Sequence, residues 1–395
     1  MRKSFAAVAV FLSLTILTAN VFADEVSAVW RRLYGRARSL DAKYTIMLTL
    51  GELDDPSLIP LLEDTLADLN ASKTQITSTI DKLVYNELVK LVVKELGDLR
   101  DGNASHLIYD VVRNAADPYL AGTAIVSLGK VGDVTFADDI AIILRNINLN
   151  YETTEQDIDA EVVAYACVLA LKRLKEPVGY SPLFFASIGW YSSQSEVKEA
   201  AEEAMNEILP DPTDILIDLV KLEADYAVKF EALLAEGRSF TPPERISVVA
   251  TEALNQGLIH EPKNVAETSM MSRLRLKAME FLINAQSTNA EPVKLLDEML
   301  YLNLDINEKL TVITALGANG SEDAATALVK FLNHLNVRQS EGIVAEDYRV
   351  VRAVIKTLGE SGNSSATEEL TAVKISGWTP AIEREAAAAL ENLKN

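Results

Sequence analysis

The chain has 395 residues with 58 acidic and 37 basic side chains, a net charge of −21; 49% of residues are hydrophobic and only 6% aromatic. Such an acidic chain is a poor ligand for nucleic acid or anionic lipid, because phosphate binding draws on a basic surface. Seventeen glycines and twelve prolines are too few for a collagen-like fibre or extended disorder, and the aliphatic bias suits many helices packed through aliphatic ridges.

In chain order, Arg2 and Lys3 lead into a mostly apolar run from Phe5 to Ala19, followed by Val21-Phe22-Ala23. This is the layout of a secretory signal over residues 1–23, with cleavage expected after Ala23. The run is shorter than the ~20 residues of a spanning helix, and Ser13, Thr15, Thr18 and Asn20 dilute it. No later segment looks apolar enough to cross a bilayer. The expected location is therefore periplasmic or secreted, with no membrane span after cleavage. Taking Arg2 and Lys3 from the 37 basic residues leaves 35 against 58 acids, a net charge of −23.

Asp24–Ser39 reads as an opening helix with Trp30 and Leu33 turned inward. In Lys43–Asn70 the repeating unit is explicit: apolar residues at helical spacing end near Gly51, then Asp54-Asp55-Pro56-Ser57 starts a second helix. A glycine there can take the left-handed cap, and an acidic N-cap followed by proline suits a first turn. The same pattern recurs at Leu91–Val112, Gly122–Asn148, Leu310–Asn336 and Val350–Leu370. Gly317 is expected to be left-handed at a helix end, and Gly129 and Gly132 are expected at their turn, with Asp133 as a cap. Wider loops are expected at Asn150–Asp157 and Val337–Ala345, and again at Asn70–Ile80 and Leu258–Ser269.

The chain also appears twice within itself. Leu128-Gly129-Lys130-Val131-Gly132-Asp133 meets Leu316-Gly317-Ala318-Asn319-Gly320-Ser321 at an offset of 188, and Trp190 meets Trp378. Further upstream the offset is 186, where Gly51 meets Gly237 and Lys43 meets Lys229. Copying of a long block of helical hairpins predicts a stacked array, with a first half at 24–209 and a second at 210–395, joined near Pro210-Asp211-Pro212.

Signatures of catalysis are missing from the sequence. His106, His260 and His334 fall in separate units without ligand spacing. Adjacent acids such as Asp138 and Asp139 point to different helix faces. Asp101-Gly102-Asn103 begins like a calcium loop, but Val112 stands where the closing Glu belongs, so an Asx turn or N-cap is expected. Gly129–Gly132 lacks the preceding strand of a phosphate cradle. Cys167 has aliphatic neighbours and reads as a buried, inert thiol. No catalytic, metal or cofactor residue is assigned, and no cofactor is expected. Trp190 and Trp378 are the two surface candidates: exposed anchors for a partner, or staples between repeats, the reading their place in the repeat favours.

The motif A-x-x-x-L-G-x-x-G-D/S, carried by TAIVSLGKVGD from Thr123, TVITALGANGS from Thr311 and AVIKTLGESGN from Ala353, resembles bacterial HEAT repeats of the phycobilisome lyase-like type. The resemblance covers most of 40–395 and implies an all-α solenoid, a right-handed superhelix of paired helices with a concave inner face. Proteins of this kind mostly bind a protein or peptide partner as noncatalytic scaffolds, and that is the function expected here. The lyase-like members imply an alternative, an enzyme subunit or chromophore lyase, which an export signal disfavours. A structural spacer in envelope assembly is a further alternative.

Overall fold

The computed structural model describes residues 27–150, 158–192, 194–343 and 346–394. The expected signal at 1–23, its cleavage after Ala23 and most of the Asn150–Asp157 loop lie outside these residues. Within them the chain is all-α, with twenty helices and no strand. Helix α1 spans 27–36. The chain divides into two compact units between Leu209 and Pro210.

In the first unit, α2 (Leu40–Gly51), α4 (Thr79–Asp98), α6 (Pro118–Val131), α8 (Ile158–Leu174) and α10 (Val197–Ile208) each pack on the next of their own set. Helix α3 (Ile59–Ser72) packs on α5 (Ser105–Asn114), and α7 (Ala137–Leu149) on α9 (Tyr180–Ser187). The second unit repeats this. Helices α12 (Tyr226–Arg238), α14 (Val265–Ala285), α16 (Ile306–Asn319), α18 (Tyr348–Glu360) and α20 (Pro380–Asn392) form one series. The other is α11 (Thr213–Leu222), α13 (Pro243–Ile259), α15 (Ala290–Leu300), α17 (Glu322–Ser340) and α19 (Thr367–Ala372). Within each unit, helices of the first series thus contact the helix two places on.

Such packing needs helices that are apolar over more than a narrow stripe. Helix α4 buries Leu88, Val89, Val92, Val93 and Leu96, which wrap from its hairpin partner α3 toward its series neighbours α2 and α6. Local caps set the ends. Asp55 accepts from Ser57 N (2.9 Å) ahead of Pro56, and Asp101 accepts from Asn103 N (3.2 Å) in the expected Asx turn.

The glycines correct the sequence reading. Gly317 lies inside α16, where a Cβ would stand 2.6 Å from Thr357 Cγ2 of α18. Gly129 is likewise inside α6, and its Cβ would fall 2.6 Å from Ala170 Cα of α8. These residues are glycine because neighbouring helices of one series nearly touch there. The left-handed caps are Gly132 (φ 82°) and Gly320 (φ 64°), whose N–H groups return to Leu128 O and Leu316 O. Gly51 is helical too, and Asp54 takes the positive φ, 46°.

Other expectations shift as well. Leu33 is 44% exposed, not turned inward. Helix α17 runs to Ser340 and α3 to Ser72, so the loops expected from Val337 and Asn70 begin later. Some residues 188 apart in the chain make matching hydrogen bonds. Asp117 and Asp305 cap α6 and α16 through Oδ1 at 2.8 Å from Tyr119 N and Asn307 N. Asn148 Nδ2 donates to Pro182 O (2.9 Å), and Asn336 Nδ2 to Glu369 O (3.1 Å).

Candidate functional site

Because α4, α6 and α8 lie side by side, their outward surfaces form one face. The middle helix contributes no acid to it: Tyr119, Thr123 and Val126 make the floor, with Lys90 and Lys94 on α4 and Val162 and Tyr165 on α8. The cavity so formed has a volume of about 510 Å³. Lys90 is paired with Glu87 (2.9 Å) and Asp117 (3.6 Å), Lys94 with Asp98 (3.2 Å). Lys130, at the lower end of α6, also reaches Asp98. These two lysines hold the Asp98 carboxyl below its ordinary range despite the opposing effect of burial.

The second unit has a groove on α16, α18 and α20, also of about 510 Å³. Leu310, Ala353 and Ala388 form its apolar floor, and Arg349, Arg352 and Lys356 line one side at helical spacing. Arg352 Nε binds Glu385 (2.9 Å), and Arg349 binds Asp347 (2.8 Å), whose carboxyl is lowered to about 2 chiefly by that guanidinium. Each groove thus pairs an apolar floor with an ionic rim.

Both tryptophans face their own chain. Trp378 is 4% exposed and its indole donates to Asn336 Oδ1 at 2.8 Å. Trp190 is half-buried, donates to Ile147 O at 3.3 Å and stacks on Tyr191, whose hydroxyl donates to Asn148 Oδ1 at 2.6 Å. Each ring therefore joins one hairpin to the helix before it. Sequence reading missed Asn148 and Asn336; their shared offset with the tryptophans was the available signal.

Cys167 is fully buried and its thiol is raised by desolvation, a poor nucleophile. His106 packs edge-on to Phe136 and His334 against Tyr301. Among the described residues no group of three His, Cys, Asp or Glu is arranged to hold a metal ion.

One buried acid went unnoticed in the sequence. Glu236 of α12 is 0% exposed; Thr213 Oγ1 donates to its Oε1 (2.8 Å), and Oε2 has no hydrogen-bond partner. Burial pushes its carboxyl up to about 7, Asp211 adds to the rise, and Thr213 and Arg245 oppose it. Between the unfolded value of 4.5 and the folded value of about 7 the native state binds more protons. Stability from this site is thus full below about 4.5 and is lost as pH rises through about 7, by about 3 kcal/mol. Glu236→Gln is expected to flatten that decline. Urea denaturation at about pH 5 and about pH 8 checks it; an unchanged slope would refute the assignment.

No family model matches the sequence, and no curated protein matches it. Among solved structures it is similar to the crystal structure of an engineered protein, at 16% identity over 93% of this chain and 99% of that chain, with a TM-score of 0.32. At that score the similarity carries no argument about fold or role.

Proposed function

We propose that this protein is an exported, noncatalytic scaffold, a tandemly duplicated solenoid of HEAT-like hairpins that binds a protein or peptide partner on its inner helices. In this reading residues 1–23 direct export to the periplasm or beyond. The observation that supports it most is the side-by-side packing of one helix series in each unit. Close glycine contacts draw those helices together, and a groove of about 510 Å³ opens on the resulting face. Matching caps and asparagine bonds 188 residues apart support the duplication. A face of rigid helices holds contact residues in place with little entropy left to lose on binding, which suits recognition.

Site-specific photocrosslinking in the native cell tests this. A photoreactive residue at Val126 or Ala353, in the grooves, should give a discrete adduct. The same residue at Asp138, exposed on α7, should not. Equal adducts at all three positions, or none at any, would overturn the proposal.

A further inference from the structure

The groove on α4, α6 and α8 continues into a second cavity, of about 760 Å³, at the C-terminal ends of the same helices, and Lys130 lines both. Here Arg100, Lys172, Arg173 and Lys175 gather, with Asp98 and Glu207 as the acids of the lining. Lys172 is held by Glu203 (2.9 Å) and Glu207 (3.0 Å). Among the described residues no carboxylate pairs with Arg100, Arg173 or Lys175. In a chain of net charge −21, this is a local reversal of sign.

Helix C-termini attract cations through their own dipoles, so position alone proves little. Backbone geometry adds a second observation. Arg100 (φ 56°) and Lys175 (φ 57°) both occupy the left-handed region, which side chains with a Cβ disfavour. Between them, at the end of α6, the same role falls to Gly132 (φ 82°). The second unit makes its corresponding turns with Gln286 (φ 47°), Gly320 (φ 64°) and Gly362 (φ 64°), none of them cationic. The turn therefore requires no charge. The first unit keeps two cations on unfavourable backbone, and both line one cleft.

We infer that this channel binds an acidic peptide segment with interspersed apolar residues, supplied by a partner protein. Its carboxylates would meet Arg100, Arg173 and Lys175, while its apolar side chains lie on Val126, Val162 and the ring of Tyr165. A short segment brings few charges and escapes most of the repulsion that the whole chain exerts on a polyanion. The inference rests on the scaffold reading and narrows it to one chemistry.

Fluorescence polarisation on the mature chain tests it. The probes are a labelled Glu/Leu peptide, its Gln/Leu counterpart and a single-stranded oligonucleotide of equal charge. The Glu/Leu peptide should bind saturably and lose affinity with added salt. In the paired variant Arg100→Gly and Lys175→Gly its binding should weaken about tenfold. The melting temperature should hold or rise, since glycine suits both φ values. Equal binding of the Gln/Leu peptide or the oligonucleotide, or unchanged affinity in the variant, would overturn the inference. Saturable binding of the Gln/Leu peptide alone refutes the charge preference and leaves the scaffold intact; failure of the Val126 and Ala353 crosslinks removes the scaffold itself.

Discussion

Gly129→Val should destabilise the first unit by about 3 kcal/mol, near the upper end of overpacking costs. Helix propensity points the other way, because glycine is about 1 kcal/mol worse than alanine inside a helix. Packing decides. A Cβ at Gly129 would lie 2.6 Å from Ala170 Cα and 3.0 Å from Ala170 Cβ, so the obstacle is backbone and cannot rotate away. Relief requires α6 and α8 to separate, and that exposes Leu128, Cys167 and Leu171, all at most 1% exposed in the native chain. Gly35 is the control: nothing lies within 4 Å of its added Cβ, and Gly35→Ala should be neutral or stabilising. Thermal melting of both variants, with amide exchange over α6 and α8, checks the pair. A Gly129→Val chain that melts like the parent would show that the two helices are not in contact.

Arg275→Met should cost about 3–5 kcal/mol, the range for removing one partner of a buried ion pair. Arg275 of α14 and Glu308 of α16 have side chains only 11% and 3% exposed, and the Arg275 Nε–H donates to Glu308 Oε1. Arg275 Nη1 also reaches Gly257 O at the end of α13 (2.7 Å), so one guanidinium holds three helices. Gly257 makes room for it, since a Cβ there would meet Arg275 Cγ at 2.5 Å. In the variant, Glu308 keeps only the Ser272 hydroxyl (3.1 Å) and its charge stays buried. Adding Glu308→Leu should return most of the loss, because an apolar pair in such a site is often as stable as the ionic one. Denaturant titration of single and double variants reads this directly. A single variant as stable as the parent would show the pair to be solvated.

Much of this was legible along the chain. Apolar residues at helical spacing, Asp-Pro starts and Asn or Asp caps mark the helices, because these signals act within a few residues. The role of the Leu-Gly glycines was misread for a related reason: a glycine near a helix end is compatible with a left-handed cap and with a close neighbour alike. Only the position of Ala170 or Thr357, some forty residues on, separates the two. Leu33, expected to turn inward, is 44% exposed, because burial depends on neighbours that the residue's own segment does not specify.

The candidate site was hardly legible. Arg100, Lys130 and Lys175 look like scattered surface charges until three helices are laid side by side, and Arg275 and Glu308 stand 33 residues apart. Helix content, caps and the 188-residue echo were determined by sequence alone, since backbone propensity and hydrophobic period are local properties of the chain. Tertiary structure decided which glycines are contacts, which charges are buried and where cations accumulate. Those outcomes depend on distances between residues far apart in the chain, and distance through space sets both steric exclusion and electrostatic energy.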